Sequence, residues 1–456
     1  MKRLIDTYLE QWADKNSRKP LVLRGARQVG KTFSVKSLAE KKFKHFININ
    51  FERHTDLITI FDSKNPKLIT AEISAYFSTP VIEGETLVFF DEVQFAPNVL
   101  ATLRYFYEEM PNLHVIAAGS LLDHTLNDLN YPMPVGRIEY AYMYPLTFFE
   151  FLLALGEEGL VQYLKNYEPG QVISEALHQK ALTLLRLYYF IGGMPEAVQT
   201  YIQTNDLTLV EQVHENILTS LSYDFAKYGT RKEQQALREV LNYLPLNIGK
   251  KVKYSNISRY ENHKTLKSAI LKLELSRIVH LVRKTKSAGI PINQQVDNDT
   301  FKPVFMDIGL ANHLSGVRLV DIDDLVTAYE GALAEQFIGQ QLIASLNPPY
   351  IDTKLFYWQR EAKNSNAELD YLLQIGNKVI PVEVKAGKTG TLKSLHVFMA
   401  QYKIPFAVRF NADKPSLGKD LKATVRLGKD QMNITYELLS LPLYLVEEIG
   451  RLVYKF

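Results

Sequence analysis

The segment that decides the fold is Gly25-Ala26-Arg27-Gln28-Val29-Gly30-Lys31-Thr32, with Phe33 directly after it. A glycine-rich loop that ends in Lys and Thr at the start of a helix surrounds phosphate groups with its backbone N–H groups. The context fits, because residues 21–23 predict a buried strand before the loop and residues 32–40 predict a helix after it. We therefore predict an ATP site at residues 25–33, in which Lys31 contacts the β- and γ-phosphates and Thr32 binds Mg2+. A glycine-rich turn without a ligand is the alternative.

Two adjacent carboxylates, Asp91 and Glu92, follow the apolar run at 87–90, which predicts a buried strand. P-loop enzymes place a metal-orienting Asp and a water-positioning group at such a strand end. We predict that Asp91 orients Mg2+ and that Glu92 polarises the attacking water. This pair favours hydrolysis over transfer to a second substrate, which counts against a small-molecule kinase. An ordinary acidic strand end is the alternative.

Two further polar residues are candidates for contacts with the γ-phosphate. Ser120 follows the apolar run at 114–118, where a polar side chain can sense the phosphate. Arg137 begins the next strand-like run and is a candidate for stabilising charge, either within its own chain or from a neighbouring subunit. The alternatives are a helix N-cap for Ser120 and a surface arginine for Arg137.

The order of apolar patterns predicts several domains. At 456 residues, the chain exceeds the roughly 250–300 residues that one hydrophobic core supports. Short apolar runs alternate with helical patterns up to residue 150, which is typical of a mostly parallel α/β sheet, and helical patterns then dominate to residue 245. After residue 329 a helical pattern leads into short strands, which indicates an α+β domain. The predicted domains are 1–155 (P-loop α/β), 156–240 (helical), 241–320 (winged helix) and 325–456 (C-terminal α+β).

The composition excludes several kinds of site. The chain has no cysteine, which excludes disulfides, iron–sulfur clusters, thiolate zinc sites and cysteine nucleophiles. Its ten histidines stand at least nine residues apart, so neither HExxH nor HxH occurs. The N-terminal residues follow a helical pattern rather than that of a signal peptide, and the most apolar run is short and contains Glu150. We expect a soluble, cytoplasmic protein.

Positive charge is concentrated in residues 246–290, which contain eleven Lys or Arg and two Glu, a net charge of +9. Two helical patterns and two candidate strands, the second at 302–306, follow the order of a winged helix-turn-helix. We predict that residues 246–290 contact DNA. The predicted phosphate contacts are Lys264, Lys267, Lys272 and Arg277. A solvated basic face, a peptide-binding surface and docking within the chain are the alternatives.

Residues 368–375 and 378–385 flank Gly376-Asn377, a pair that favours a two-residue hairpin turn. If Ile375 pairs with Lys378, Asp370 faces Glu383, and strand alternation puts Lys385 on the same face. Like charges this close are unfavourable without a cation, so we predict that Asp370 and Glu383 bind a divalent metal. Lys385 would then orient water or stabilise the transition state. The predicted opposite face is apolar: Leu369, Tyr371, Leu373, Ile375, Ile380, Val382 and Val384. A surface hairpin whose acids pair with nearby lysines is the alternative.

Several segments together resemble one family and span nearly the whole chain. They are residues 24–32 (RGARQVGKT), 89–94 (FFDEVQ), 117–122 (AAGSLL), 135–152 (VGRIEYAYMYPLTFFEFL), 192–198 (GGMPEAV) and 306–314 (MDIGLANHL). The chain resembles AAA-like P-loop ATPases of the STAND/ASCE kind that carry a C-terminal DUF4143-type domain. The resemblance implies an ASCE parallel sheet, a winged-helix module and a C-terminal domain similar to PD-(D/E)xK, restriction-endonuclease-like proteins. Glu335 matches an additional acidic position of that site.

These observations lead to two hypotheses. The first is a Mg2+-dependent ATPase that couples its nucleotide state to a DNA-binding module, with DNA cleavage by the C-terminal domain left open. The second is a nucleotide-dependent switch whose C-terminal domain is catalytically inactive and recognises a protein or DNA partner. The expected ligands are ATP, Mg2+ and DNA. No membrane is expected to take part, and oligomer formation stays open.

Overall fold

The computed structural model describes the chain outside residues 121, 123–135, 225–229, 259–260, 287, 317–329, 362–366, 388–390 and 429. The described residues form two compact units. The first unit consists of Met1–Leu146, Leu275–Ile278 and Asn347–Asp352. The second consists of Thr147–Glu274, Val279–Leu346 and Thr353–Phe456. The finer domain boundaries predicted from the sequence stay predictions.

A parallel five-stranded sheet forms the centre of the first unit and has the order β2-β3-β4-β1-β5. Its strands are β1 (Leu21–Arg24), β2 (His45–Asn50), β3 (Thr86–Asp91), β4 (His114–Gly119) and β5 (Glu139–Tyr142). Its longer helices are α1 (Leu4–Asp14), α2 (Lys31–Lys42), α3 (Pro66–Phe77) and α4 (Pro97–Glu109). All five strands were predicted and are confirmed. Because parallel strands point the same way, the loop after β1 and the acidic end of β3 both lie at the carboxyl ends of the strands.

The strands of this sheet are apolar along most of their length because helices cover the sheet faces. β3 and β4 are buried at every position. Their side chains join one hydrophobic cluster that includes Val22, Ile49, Phe90 and Ala117. The buried strands give the residues that follow them fixed positions at the sheet edge.

The second unit begins with six helices. They are α5 (Phe148–Ala154), α6 (Glu158–Lys165), α7 (Glu175–Ile191), α8 (Pro195–Thr204), α9 (Leu207–Asp224) and α10 (Arg231–Tyr243). Thr147 and Glu150 start α5 with a capping box, in which each side chain accepts a hydrogen bond from the backbone of the other. None of the described helices is both long and apolar enough to span a bilayer.

A nine-stranded sheet forms the rest of the second unit, in the order β13-β14-β12-β11-β10-β9-β7-β8-β6. The strands are β6 (Val252–Lys253), β7 (Val279–Thr285), β8 (Val296–Phe305), β9 (Phe356–Gln359), β10 (Glu368–Ile375), β11 (Lys378–Val384), β12 (Phe406–Asn411), β13 (Ser416–Leu427) and β14 (Asp430–Pro442). The helices are α11 (His263–Leu275), α12 (Ile308–Leu314), α13 (Glu330–Ser345), α14 (Lys393–Tyr402) and α15 (Ile449–Val453).

β7 pairs in parallel with β9, so residues on both sides of the predicted boundary at 325 contribute strands to one sheet. Two features of this part of the chain differ from the sequence prediction. The long hairpin of β13 and β14 was not predicted. A helix was expected at 254–262, where the structure has a single 3-10 turn at Tyr254–Asn256 and residues 259–260 lie outside the described part.

Candidate functional site

The phosphate loop connects β1 to α2, as predicted, and two of its glycines are required by geometry. Gly30 precedes α2 with a φ of 98°, a left-handed conformation that glycine adopts without steric cost. A Cβ atom at Gly25 would overlap the backbone oxygen of Met143, which follows β5. Both positions therefore depend on the absence of a side chain.

Lys31 is buried within the phosphate loop and contacts the loop backbone. Its Nζ donates hydrogen bonds to the oxygens of Gly25, at 2.9 Å, and Ala26, at 2.8 Å. Burial lowers the pKa of Lys31 to about 8, although the nearby carboxylates of Glu92 and Asp91 oppose this shift. The ammonium group therefore lies where it can exchange carbonyl oxygens for phosphate oxygens.

Thr32 and Asp91 meet at the predicted Mg2+ position. The Thr32 hydroxyl donates to Asp91 Oδ2 at 2.9 Å. Burial raises the pKa of Asp91, and the hydrogen bond from Thr32 opposes this shift. Hydroxyl and carboxylate oxygens are the ligands that Mg2+ prefers. The side chains present therefore fit the ion that an ATP site uses.

Glu92 follows Asp91 with a φ of 54°, in the left-handed region that few non-glycine residues adopt. Gln94, which sequence analysis missed, donates from Nε2 to Glu92 Oε2. The other end of the same amide, Oε1, is buried and has no hydrogen-bond partner among the described residues. It lies against Gly119 at the end of β4, where a Cβ atom would overlap it. Gln94 thus connects the predicted base to the neighbouring strand end.

Ser120 lies at the carboxyl ends of the parallel strands, and Arg137 lies at their amino ends. Ser120 is buried and directly follows β4, so it lies at the carboxyl ends of the strands, as the phosphate loop does. Arg137 precedes β5, whose residue Glu139 pairs with Leu21 at the start of β1. Its Nε donates to Glu108 Oε1 at 2.9 Å. The structure therefore does not bring Arg137 to the phosphate loop of its own chain, because the loop follows the other end of β1.

Arg3 stabilises the phosphate loop from the N-terminal segment, which the sequence did not predict. Its Nη1 donates to the oxygen of Val29 at 2.9 Å and its Nη2 donates to the oxygen of Tyr144 at 2.6 Å. The guanidinium group therefore connects the loop to the residues after β5. An arginine just before a helix gives no sequence signal for this contact.

The register predicted for the C-terminal hairpin is confirmed. Ile375 pairs with Lys378, and the antiparallel pairing continues to Tyr371 and Val382. Beyond the last pair, the backbone N–H of Val384 donates to Asp370 Oδ2 at 2.8 Å. Lys385 Nζ donates to Glu383 Oε1 at 2.5 Å. Asp370, Glu383 and Lys385 therefore lie together at one end of the hairpin.

The predicted apolar face is wrong at Leu369. An irregularity in the pairing of β10 with β9 falls between Leu369 and Leu372 and breaks the two-residue alternation. As a result, Leu369 and Leu372 belong to the same hydrophobic cluster. Tyr371 instead donates its hydroxyl to the backbone oxygen of Glu335 at 2.7 Å.

A buried lysine from β8 completes a group of charges that the sequence only partly revealed. Four acids form what we call the carboxylate cluster: Glu335, Glu368, Asp370 and Glu383. Lys302 Nζ lies 3.1 Å from Glu335 Oε2, 2.9 Å from Glu368 Oε1 and 3.4 Å from Asp370 Oδ1. The side chain of Lys302 is 5% exposed. The sequence signal for this buried charge was a single lysine within the apolar strand residues 301–305.

Burial and mutual repulsion set the protonation of this cluster. Burial, and then the charge of Asp370, raises the pKa of Glu335 to about 8 and that of Glu383 to about 7. Burial lowers the pKa of Lys302, but the surrounding carboxylates more than offset this, and its pKa is well above the usual value. Lys302 is therefore a permanent positive charge beside Asp370.

The divalent metal predicted between Asp370 and Glu383 stays a prediction. Positive charge is already present at these two acids, because Lys302 contacts Asp370 and Lys385 contacts Glu383. Among the described residues, no set of three or more His, Asp or Glu side chains is placed to hold a metal ion.

The basic segment is less available for DNA than its charge suggests. Arg277 pairs with Asp352 at 2.7 Å and Lys272 pairs with Glu233 at 3.3 Å, so each of these two predicted phosphate contacts already has a carboxylate partner. Lys264 is exposed on α11, and Lys267 Nζ lies 5.8 Å from the ring centroid of Tyr254. These two lysines form no ion pair within the described residues.

Three protein families match separate parts of the chain. Residues 17–152 match the family described as AAA domain. This chain is an ATP hydrolase. Residues 182–321 match a domain of unknown function, DUF8612, and residues 330–444 match another, DUF4143. The matched AAA domain contains the phosphate loop, Asp91 and Glu92.

Solved structures that match parts of this chain include the ORC2 protein of Aeropyrum pernix, in ADPNP and ADP complexes. It is 10% identical with a TM-score of 0.36, over 71% of this chain and 95% of that chain. AMPPCP-bound DnaA from Aquifex aeolicus is 14% identical with a TM-score of 0.26, over 59% and 86%. A STAND protein with a tetratricopeptide repeat sensor from Pyrococcus horikoshii is 13% identical with a TM-score of 0.28, over 75% and 45%. At these scores no argument about function rests on them. No curated protein matches this chain in sequence.

Proposed function

We propose that this ATPase binds ATP with Mg2+ at residues 25–33 and couples its turnover to DNA binding. The hydrogen bond between Thr32 and Asp91 is the observation that carries the nucleotide half, because it brings two Mg2+-type oxygens together beside Lys31. In this proposal Lys31 binds the phosphates, Glu92 activates water and Ser120 senses the γ-phosphate. Mg2+, when bound, neutralises charge that develops on the phosphates.

The DNA half of the proposal rests on the segment from α10 to β8. β6 and β7 both pair antiparallel with β8, and α11 leads into β7. This order supports a winged helix-turn-helix, in which the second helix lies in the major groove. Lys264 and Lys267, exposed on α11, supply charge for phosphate contacts.

Charge reversal tests this assignment. The double change Lys264→Glu with Lys267→Glu is expected to weaken binding of a duplex at low salt and to reduce the salt slope, because fewer counterions are released. The matched control, Lys165→Glu with Lys180→Glu, changes the net charge equally on exposed residues of α6 and α7. Fluorescence anisotropy over a salt series measures both. Equal loss in the two variants would remove α11 from the DNA interface.

The C-terminal segment supports a nuclease-like origin for the domain. α13, the antiparallel strands β9 to β11, α14 and the parallel β12 follow the order helix, three strands, helix, strand. The proximity of Glu335, Asp370, Glu383 and Lys385 supports this proposal. Lys302 favours the second candidate function, a nucleotide-dependent switch whose C-terminal domain recognises a partner without cutting DNA. A plasmid-nicking assay with Mg2+ or Mn2+ separates the two candidates, with Lys385→Ala as the control for cleavage at this cluster.

A further inference from the structure

The carboxylate cluster contains a cation of its own. Lys302 reaches three of its four acids at 2.9 to 3.4 Å, and it does so from β8, a strand distant in sequence from β10 and α13. We infer that Lys302 is the resident cation of the carboxylate cluster and takes the place of a divalent metal ion there. This inference does not depend on DNA binding.

Most oxygens of the two predicted metal ligands, Asp370 and Glu383, are already engaged. Both oxygens of Asp370 accept hydrogen bonds, Oδ1 from Lys302 and Oδ2 from the backbone N–H of Val384. Glu383 Oε1 accepts from Lys385, and its Oε2 is buried with no partner among the described residues. Of the four oxygens of these two acids, only Glu383 Oε2 is left for a hard divalent cation, which would have to displace the present donors or draw most of its ligands from water.

The charges are also close to balanced without a metal. Lys251 pairs with Glu368 at 2.7 Å and Lys385 pairs with Glu383 at 2.5 Å. Together with Lys302, three ammonium groups face four carboxylates. A divalent ion would have to enter beside the ammonium group of Lys302, whose side chain is buried. Like charges in a buried site repel strongly, so the ion and Lys302 exclude each other.

Metal titration of the full chain tests the inference. The Asp91→Asn background removes the carboxylate predicted to orient Mg2+ at the nucleotide site and leaves Glu92, so only a metal response that Asp370→Asn abolishes is assigned to the carboxylate cluster. In this background we expect Mn2+ to leave the melting temperature unchanged and to show no saturable binding by electron paramagnetic resonance. A saturable Mn2+ site that Asp370→Asn abolishes would overturn the inference.

Removing the ammonium group gives the complementary result. Lys302→Met keeps a long unbranched side chain without its charge, and we expect it to lower the melting temperature by several degrees in metal-free buffer. Mn2+ should then restore part of the loss, because the acids lack a cation. Lys385→Met is the matched control, since its ammonium group contacts only Glu383 within the carboxylate cluster. It should show little Mn2+ response.

Two other outcomes count against the inference. Lys302→Met with the stability of the parent would mean that the ammonium group does not neutralise the acids. A melting temperature that Mn2+ raises equally in Lys302→Met and Lys385→Met would mean that the ion binds outside the space of Lys302. If Lys302→Met does not fold, the Mn2+ titration of the Asp91→Asn protein and of its Asp370→Asn derivative still decides the question.

Discussion

Lys31 and Glu92 have separable roles at the scale of the single residue. Lys31→Ala removes the positive charge beside the phosphates and is expected to abolish tight ATP binding. Glu92→Gln keeps the shape of the side chain without the base, so binding is expected to persist while turnover falls by roughly 100-fold or more. Binding of a fluorescent ATP analogue and phosphate release measure the two properties. Turnover by Glu92→Gln equal to the parent would exclude Glu92 as the base.

Gln94 is expected to position Glu92. Its amide donates to the Glu92 carboxylate while the backbone of Glu92 is held left-handed, so Gln94→Ala frees the carboxylate to leave its orientation. We expect the kcat for ATP to fall by about 10-fold, with little change in the Kd for ATP. Gly119→Ala should have a similar effect, because its Cβ would displace the Gln94 amide.

The matched control for Gln94 is a glutamine–glutamate pair away from the nucleotide site. Gln179 Nε2 donates to Glu175 Oε1 at 2.8 Å on the exposed surface of α7. Gln179→Ala should leave both kcat and Kd unchanged. A parallel rise in Kd for Gln94→Ala would instead indicate that the residue supports the loop rather than the base.

At the scale of the element, Glu447 makes the start of α5 sensitive to pH. Glu447 lies in the 3-10 turn Leu443–Glu448 and accepts a hydrogen bond from the backbone N–H of Phe149 at 2.7 Å. Burial raises its pKa from 4.5 to about 8, although the bonds from Phe149 and Thr147 oppose this shift. The folded protein therefore keeps a proton on Glu447 at pH values where the unfolded chain has lost it.

The sign of the effect follows from proton linkage. Between pH 4.5 and about 8, the folded state binds more protons than the unfolded state, so stability falls as the pH rises, by at most about 1.4 kcal/mol per pH unit. Glu447→Gln should remove this fall and raise the melting temperature at pH 8 relative to the parent. Thermal unfolding from pH 5 to 8 measures it. The exposed Glu196→Gln is the control, and an unchanged slope in Glu447→Gln would contradict the prediction.

At the scale of the whole molecule, we expect any contribution of Arg137 to hydrolysis to come from another copy of the chain. It lies at the amino ends of the strands, whereas its own phosphate loop lies at their carboxyl ends. Its side chain is about half exposed and pairs with Glu108. If it acts in trans, turnover per chain should rise with protein concentration, and Arg137→Ala should abolish that rise. Arg104→Ala is the matched control, since Arg104 pairs with the same oxygen of Glu108 at 3.0 Å. Turnover independent of concentration would leave Arg137 a surface residue.

The sequence determined the features that depend on near neighbours along the chain. The glycines, Lys31 and Thr32 of the phosphate loop are set by local backbone geometry. The five strands of the first sheet follow from their apolar runs, and the hairpin register follows from the turn at Gly376-Asn377 and a period of two. Each of these depends on residues that lie within a few positions of one another.

Tertiary structure decided what depends on residues distant in sequence. Lys302, on β8, lies 3.4 Å from Asp370, on β10, where the hairpin alone predicted a metal ion. Arg277 pairs with Asp352, and Arg137 lies near the amino end of β5, away from its own phosphate loop. Charges act through space over several ångströms, and only the folded chain determines which opposite charge is near. A local pattern can therefore show that a carboxylate needs a cation, but it cannot show which cation it receives.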